Sequence, residues 1–191
     1  MIVIFGGAFN PPTKAHLDIY HHVMDHLNCD LFIYLPTSSL YTKRSLASNH
    51  HRYQMLKILT ADLPHAEVST MELNDSDYRG TYQSLLRFQE RYPDQELAFL
   101  IGADNLSKLH KWINAPSLLA DFRFVLLDRN GIDIQKMLSD DPFLSEHLQQ
   151  FIFLPGFTSE ASSTAYRDSF NDTYVIPSVA DYIRLHGLYR G

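Results

Sequence analysis

The sequence is poor in cysteine and in long apolar runs. Its 191 residues include one cysteine, Cys29, which excludes an internal disulfide and is typical of a protein from a reducing compartment. No stretch approaches the roughly 20 apolar residues of a membrane-spanning helix, and the apolar start of the chain is too short for a signal peptide. We therefore expect a cytoplasmic protein without a membrane segment.

Basic residues are also few. The chain has 16 Lys and Arg against 22 Asp and Glu, a formal net charge of −6, and its longest basic run is Lys43-Arg44. Nucleic acid is disfavoured as a partner, because binding it requires clustered cations that neutralise phosphates. The length and the 45% hydrophobic content indicate a single globular domain over residues 1–191 and leave its oligomeric state open.

Short apolar runs alternate with helical patterns along the chain. The apolar runs predict strands over residues 1–5, 31–35, 67–71, 97–101, 122–127 and 151–154. Spacings of three and four predict helices after Pro12 and over 51–63, 82–90, 142–149, 163–170 and 177–186. Several strands are apolar on both faces, which predicts an α/β protein with a Rossmann-like, doubly wound parallel sheet and helices on both faces. Ligands bind beyond the carboxyl ends of such strands, so we expect the site after strands one, two and four.

A glycine-rich loop follows the first strand. It reads Gly6-Gly7-Ala8-Phe9-Asn10-Pro11-Pro12-Thr13-Lys14-Ala15-His16. The two glycines allow a sharp turn, and the first N–H groups of the next helix can receive an anion. Thr13 and His16 share one face of that first turn and can offer a hydroxyl and an imidazole to one anionic group. A glycine-rich turn with a helix-capping threonine and a surface histidine fits the same residues equally well.

A second candidate motif lies near the other end of the chain. It reads Ser162-Ser163-Thr164-Ala165-Tyr166-Arg167. A serine can cap the helix while the hydroxyls and the guanidinium of Arg167 face phosphates. Taken alone, the segment is more simply interpreted as an ordinary helix cap followed by an exposed arginine.

Together the two motifs resemble those of the nucleotidyltransferase superfamily. The first is similar to G-G-T-F-D-P-I-H-x-G-H, whose core is (H/T)-x-G-H, and the second to I-S-S-T-x-x-R. Within the superfamily the chain is most similar to bacterial nicotinate-nucleotide adenylyltransferases. The resemblance implies that His16, Thr13 and Arg167 are catalytic. It also implies that ATP is bound by Gly7, Ala8, Phe9, Thr13, His16, Gly102, Asp104, Ser162, Ser163, Thr164 and Arg167.

Further matches concern the phosphorylated acceptor. Residues 36–44 lie where the family has P-N-x-x-P-P-H-K/R, residues 80–85 resemble S-Y-T-x-x-T-L, and residues 101–106 match I-G-A-D-S-L. The resemblance implies acceptor binding by Ser38, Thr42, Lys43, Thr81, Tyr82, Asp104 and Trp112. The alternatives for Asp104 and Trp112 are a helix cap and a core aromatic residue. The chain departs from the family pattern at Asn10, Ala15, Leu40-Tyr41 and Gly80.

The resemblance implies that AMP passes from ATP to nicotinate mononucleotide, which gives nicotinate adenine dinucleotide and pyrophosphate in NAD biosynthesis. It implies Mg²⁺ carried by the ATP phosphates, and we see no carboxylate pair or histidine spacing suited to a metal held by the protein. Three alternatives stay open: nicotinamide mononucleotide as acceptor, phosphopantetheine as acceptor, or a nucleotide-binding sensor that has lost turnover. Pyrophosphate release with each acceptor separates them.

Overall fold

The fold is built on a parallel β-sheet. The structure, a computed structural model, describes residues 1–41, 46–127 and 133–189, with the side chain of Tyr41 excepted. Every helix in these segments lacks the length or the apolar character needed to cross a membrane. The six strands of the sheet are β1 (Ile2–Gly7), β2 (Leu31–Pro36), β3 (Ala66–Val68), β4 (Leu97–Gly102), β5 (Arg123–Leu127) and β6 (Phe151–Leu154).

The strand order is β3-β2-β1-β4-β5-β6, and all neighbouring strands run parallel. β1 pairs with β2 on one side and with β4 on the other, with Gly7 opposite Pro36 and Phe5 opposite Leu100. The direction of winding therefore reverses between β1 and β4. This is the arrangement of a doubly wound sheet, in which the reversal opens a crevice at the carboxyl edge.

Helices cover both faces of the sheet. Val3 of β1 packs into one layer and its neighbours Ile2 and Ile4 into the other, which explains why this strand is apolar throughout. The first layer contains α1 (Lys14–His26), α2 (Asn49–Leu59), α8 (Ser163–Ser169) and α9 (Pro177–Leu185). The second contains α3 (Thr81–Arg91), α4 (Ala103–Leu106), α5 (Ala115–Asp121), α6 (Ile134–Asp140) and α7 (Pro142–Ser145).

The predicted Rossmann-like fold is confirmed, and the predicted strands correspond to β1–β6. Three of the helices, α4, α5 and α6, were not predicted. Each has at most 7 residues, so it completes too few turns to produce a recognisable apolar spacing. The helix expected over 142–149 is shorter, because α7 ends at Ser145 and a separate 3-10 turn follows at Leu148–Gln150.

Candidate active site

A cavity of about 450 Å³ opens at the carboxyl edge of the sheet, between the ends of β1 and β4. This is the switch point of the winding, and the volume lies in the range of small-molecule sites. Its position agrees with the expectation from the strand pattern. The cavity is lined by Phe5, Gly6, Gly7, Thr37, Glu72, Tyr78, Gly80, Thr81, Phe99, Leu100, Ile101, Gly102, Asn105, Lys111, Trp112 and Ile113.

His16 lies in the first turn of α1 and is held in one orientation. The main-chain N–H of Thr13 donates to Nδ1 over 2.8 Å, and the hydroxyl of Tyr34 donates to the His16 carbonyl over 2.9 Å. The rings of Phe5 and Phe9 pack against the imidazole, with centroids 5.8 and 5.0 Å away. Because Nδ1 accepts an N–H, the neutral ring carries its proton on Nε2. His16 is therefore arranged as a hydrogen-bond donor rather than as a base.

Three of the residues predicted to contact ligands have side chains buried inside the protein. Thr13 is fully buried, and its Oγ1 lies 3.0 Å from Nδ1 of His16, so we interpret it as the residue that orients the imidazole. The ring of Phe9 is in the core, which leaves only its main chain for a ligand. Ser38 is fully buried, and its hydroxyl accepts from the Leu40 N–H and from the Asn49 amide. We therefore reassign Ser38 from acceptor contact to support of its loop.

The second motif contacts the first. The hydroxyl of Ser163 donates to the Pro11 carbonyl over 2.7 Å, although 152 residues separate the two along the chain. Arg167 donates to the Asn10 carbonyl and to the hydroxyl of Thr164, the latter over 3.3 Å. The segments before α1 and at the start of α8 thus form one unit, in which Arg167 of α8 binds the loop that leads to His16.

The structure shows which residues cap α8 and α4, two helices for which the sequence suggested capping residues. Ser162 caps α8, since its hydroxyl accepts the N–H of Ala165 over 3.0 Å. The cap of α4 is Gly102 and not Asp104, which is exposed in the first turn of that helix. The carboxylate of Asp104 lies across Gly102, where a Cβ atom would come within 2.6 Å of Oδ1. Asp104 therefore has an exposed carboxylate beside the cavity.

Besides Ser38 and Asp104, the predicted acceptor residues divide into three groups. Thr81 and Trp112 line the cavity, and Trp112 is half-buried, with its ring edge-on to Phe99 at 6.0 Å between centroids. Tyr82 donates its hydroxyl to Asp121 over 2.7 Å, so only its main chain belongs to the helix start at the cavity. Thr42 and Lys43 lie outside the described residues.

Comparisons with known proteins show the family of the chain. The family described as cytidylyltransferase-like matches residues 4–169. The chain is 31% identical to the "probable nicotinate-nucleotide adenylyltransferase" of Acholeplasma laidlawii, over 90% of this chain and 87% of that protein. It is also 31% identical to the protein of the same description from Bacillus licheniformis, over 98% and 97%. The chain belongs to the nicotinate-nucleotide adenylyltransferase family.

The fold of this adenylyltransferase is also that of a solved relative. The structure of "Plasmodium falciparum nicotinic acid mononucleotide adenylyltransferase complexed with NaAD" superimposes with a TM-score of 0.79 at 23% identity, over 98% of this chain and 96% of that one. The likeness confirms the Rossmann-like architecture. The family membership makes the chain an enzyme of the nucleotidyltransferase class.

Arg52 is a structural element of the site that the sequence motifs did not identify. Its side chain is fully buried in α2 and donates to the carbonyls of Ala8, Thr37 and Ala47 over 2.7 to 3.0 Å. A further bond of 2.7 Å reaches Oδ1 of Asn49. The guanidinium thus joins the loop after β1 to the loop after β2.

Glu72 is a second residue that the motifs missed. It lines the cavity but is only 4% exposed, and it accepts a hydrogen bond of 2.8 Å from the hydroxyl of Ser84. Burial raises the pKa of Glu72 to about 7, although hydrogen bonds from Ser84 and Thr37 oppose the shift. Burial and the neighbouring Glu72 carboxylate also raise the pKa of Tyr78. The sequence carries no signal for Glu72, because a glutamate in a polar loop is normally solvated.

The raised pKa of Glu72 predicts a pH-dependent stability. Because the folded protein holds this proton more tightly than the unfolded chain, the contribution is greatest at acid pH and is lost as pH rises through about 7. We compare the unfolding free energy of Glu72→Gln with that of the parent protein at each pH. The variant's value minus the parent's should increase by roughly 2–3 kcal/mol from pH 5 to pH 8. Urea unfolding at both pH values measures this difference. If the stability difference between the two proteins were the same at pH 5 and pH 8, the raised pKa of Glu72 would be contradicted.

Proposed function

We propose that residues 1–191 form one cytoplasmic domain that transfers AMP from ATP to nicotinate mononucleotide. The products are nicotinate adenine dinucleotide and pyrophosphate, as in NAD biosynthesis. The proposal rests on two features that lie together at the carboxyl edge of the sheet. Arg167 of α8 binds the loop that leads into the donor histidine of α1. That loop follows Gly6 and Gly7, which line a cavity containing Trp112 and the uncapped start of α3.

The arrangement suits an in-line displacement at the α-phosphorus of ATP. The 5′-phosphate of the acceptor is ionised and already a nucleophile, so the reaction needs neither a general base nor a covalent intermediate. His16, donating from Nε2, and Arg167 stabilise the charge that develops on the transferred phosphoryl group. Thr13 orients His16, and the cavity positions the acceptor, which lowers the entropic part of the barrier.

Magnesium enters this scheme with ATP. Among the described residues, no group of three or more His, Cys, Asp or Glu side chains could hold a metal ion. The side chains near the two motifs are instead donors, His16 and Arg167, which suit phosphate oxygens. We propose that Mg²⁺ is carried by the ATP phosphates, where it neutralises charge on the leaving pyrophosphate.

The start of α3 supports nicotinate over nicotinamide mononucleotide as the acceptor. Gly80 caps this helix with a φ of 94°, so no side chain occupies the cap position, and Thr81 lines the cavity. Main-chain N–H groups at a helix start favour a carboxylate through hydrogen bonds and the helix dipole. A carboxamide would place its NH₂ among donors, and burying that group without an acceptor costs ~1–3 kcal/mol.

We therefore expect kcat/KM to be roughly tenfold to a hundredfold higher for nicotinate than for nicotinamide mononucleotide near neutral pH. Pyrophosphate release at saturating ATP measures both values, and phosphopantetheine is tested alongside. Tyr82→Phe is the matched control, since it removes only the hydroxyl bonded to Asp121 and should keep the preference. Equal values, or a preference for the amide, would overturn the acceptor assignment. If none of these acceptors supported pyrophosphate release, the protein would instead be a nucleotide-binding sensor without turnover.

A further inference from the structure

Glu72 places an ionisable carboxyl in the cavity that, under the proposed function, receives the pyridine ring. It lines this cavity together with Thr81 and Trp112. A bound nicotinate would therefore bring a second carboxylate into the same cavity, beside a carboxyl that is only 4% exposed. Two carboxylates that share a poorly solvated site do not both remain ionised, because their repulsion is weakly screened there.

Resting on the proposed function, we propose that Glu72 is a specificity-determining residue that takes up a proton when the acid form of the acceptor binds. The proton comes from solvent, adds to the Glu72 carboxylate and returns to solvent when the product leaves. No other bond changes in this step. At alkaline pH the uptake becomes unfavourable, and the enzyme loses preference for the acid over the amide.

The groups around Glu72 leave its charge weakly compensated. Ser84 of α3 and Thr37 after β2 face it with neutral hydroxyls. The charged side chains that shift the pKa of Glu72 are Asp75 and Arg87, which form an ion pair with each other and act in opposite directions. The negative charge of Glu72 is therefore stabilised mainly by two hydroxyls, which favour it less than a paired cation does.

Two further groups of the cavity bear on the same charge. The phenol of Tyr78 lies near Glu72, is itself harder to ionise there, and hydrogen-bonds to Thr81. The exposed ammonium of Lys111 lies on the cavity wall and can attract either acceptor through its phosphate. The pKa of Glu72, about 7, lets its protonation respond to the charge of the acceptor near neutral pH.

A purely structural Glu72 would behave differently. If its only task were to hold Ser84 and the start of α3, its loss would change the KM of both acceptors at every pH. Coupling to the acceptor's charge predicts a pH-dependent change confined to the acid. The ratio of the two KM values is therefore the decisive quantity, because titration of the shared 5′-phosphate and effects on ATP cancel in it.

The test measures KM for nicotinate and nicotinamide mononucleotides between pH 6.5 and 8.5, in the parent enzyme and in Glu72→Gln. We expect the acid-to-amide KM ratio of the parent to rise about tenfold between pH 7 and pH 8.5, since protonation must precede binding above neutrality. In Glu72→Gln the ratio should be constant. Parallel profiles in the two enzymes would overturn the inference.

A second variant keeps the carboxyl and changes only its partner. Ser84→Ala removes a hydrogen bond that favours ionised Glu72, so the rise in the KM ratio should move to higher pH. This variant keeps the inference testable if Glu72→Gln does not fold. An unchanged midpoint in a folded Ser84→Ala enzyme would count against the coupling.

Calorimetry provides an independent readout. Titration of the enzyme with nicotinate mononucleotide at pH 7, in two buffers of different ionisation enthalpy, should show uptake of about half a proton more in the parent than in Glu72→Gln. Equal uptake in both would contradict the inference.

If nicotinate mononucleotide supports no pyrophosphate release at any pH, the proposed function fails. If it is turned over with a pH-independent KM ratio, only the role of Glu72 fails.

Discussion

Replacing His16 with alanine is expected to lower kcat by roughly a hundredfold or more while the fold persists. The reason is the fixed orientation of the ring. Nδ1 is occupied by the Thr13 N–H, so Nε2 carries the proton that, in the proposed mechanism, stabilises charge on the transferred phosphoryl group. Loss of one such donor typically costs ~2.7–4 kcal/mol of transition-state stabilisation. Pyrophosphate release at saturating ATP and acceptor measures kcat, and circular dichroism verifies the fold.

Two further substitutions separate the roles of the two ring nitrogens. His16→Asn can still accept the Thr13 N–H but does not extend to the position of Nε2, so it should lose as much activity as alanine. His16→Gln extends further and should recover part of kcat. His21→Ala, an exposed histidine of the same helix, is the matched control and should be near normal. A folded His16→Ala enzyme with near-normal kcat would remove His16 from catalysis.

The sheet was predictable because its information is local. A parallel strand covered on both faces must be apolar along its whole length, and β1, β2 and β4 have that signature. The position of the cavity then followed from the strand order. The short helices α5 and α6 were not predictable in the same way, since their stability comes from Leu118, Leu119 and Ile134 packing on the sheet.

The site was predictable only in part. Ser163 and Arg167 could be related to the first loop by resemblance, and the structure brings these segments into contact. The burial of Thr13 could not be predicted, because a threonine at a helix start looks the same in sequence whether it meets solvent or the core. Glu72 and Arg52 were missed because no local sequence pattern records a buried charge, and the Ala8 and Thr37 partners of Arg52 lie in other loops.

Of the substitutions considered, the replacement of Arg52 by leucine is expected to cause the largest loss of stability. Among the described residues it forms no ion pair, and its four hydrogen bonds go to three main-chain carbonyls and to the Asn49 amide. Arg52→Leu would remove this donor from the three main-chain carbonyls, whereas Oδ1 of Asn49 still accepts the N–H of Ser39. Each carbonyl left without a donor costs ~1–3 kcal/mol. We expect a loss of about 4 kcal/mol or more in unfolding free energy, measured by urea denaturation.

The same bonds predict a kinetic effect that distinguishes Arg52 from an ordinary core residue. The guanidinium joins Ala8, in the loop proposed to bind ATP, to Thr37, which lines the cavity proposed for the acceptor. A folded Arg52→Lys enzyme should therefore show a raised KM for both substrates. A lysine has one nitrogen and cannot reach all four acceptors at once.

Arg91→Leu, which replaces an exposed arginine in the last turn of α3, is the control for stability and should change it by about 0.5 kcal/mol or less. If Arg52→Leu were as stable as that control, the loops after β1 and β2 would be held by other contacts, and the positioning role of Arg52 would be wrong.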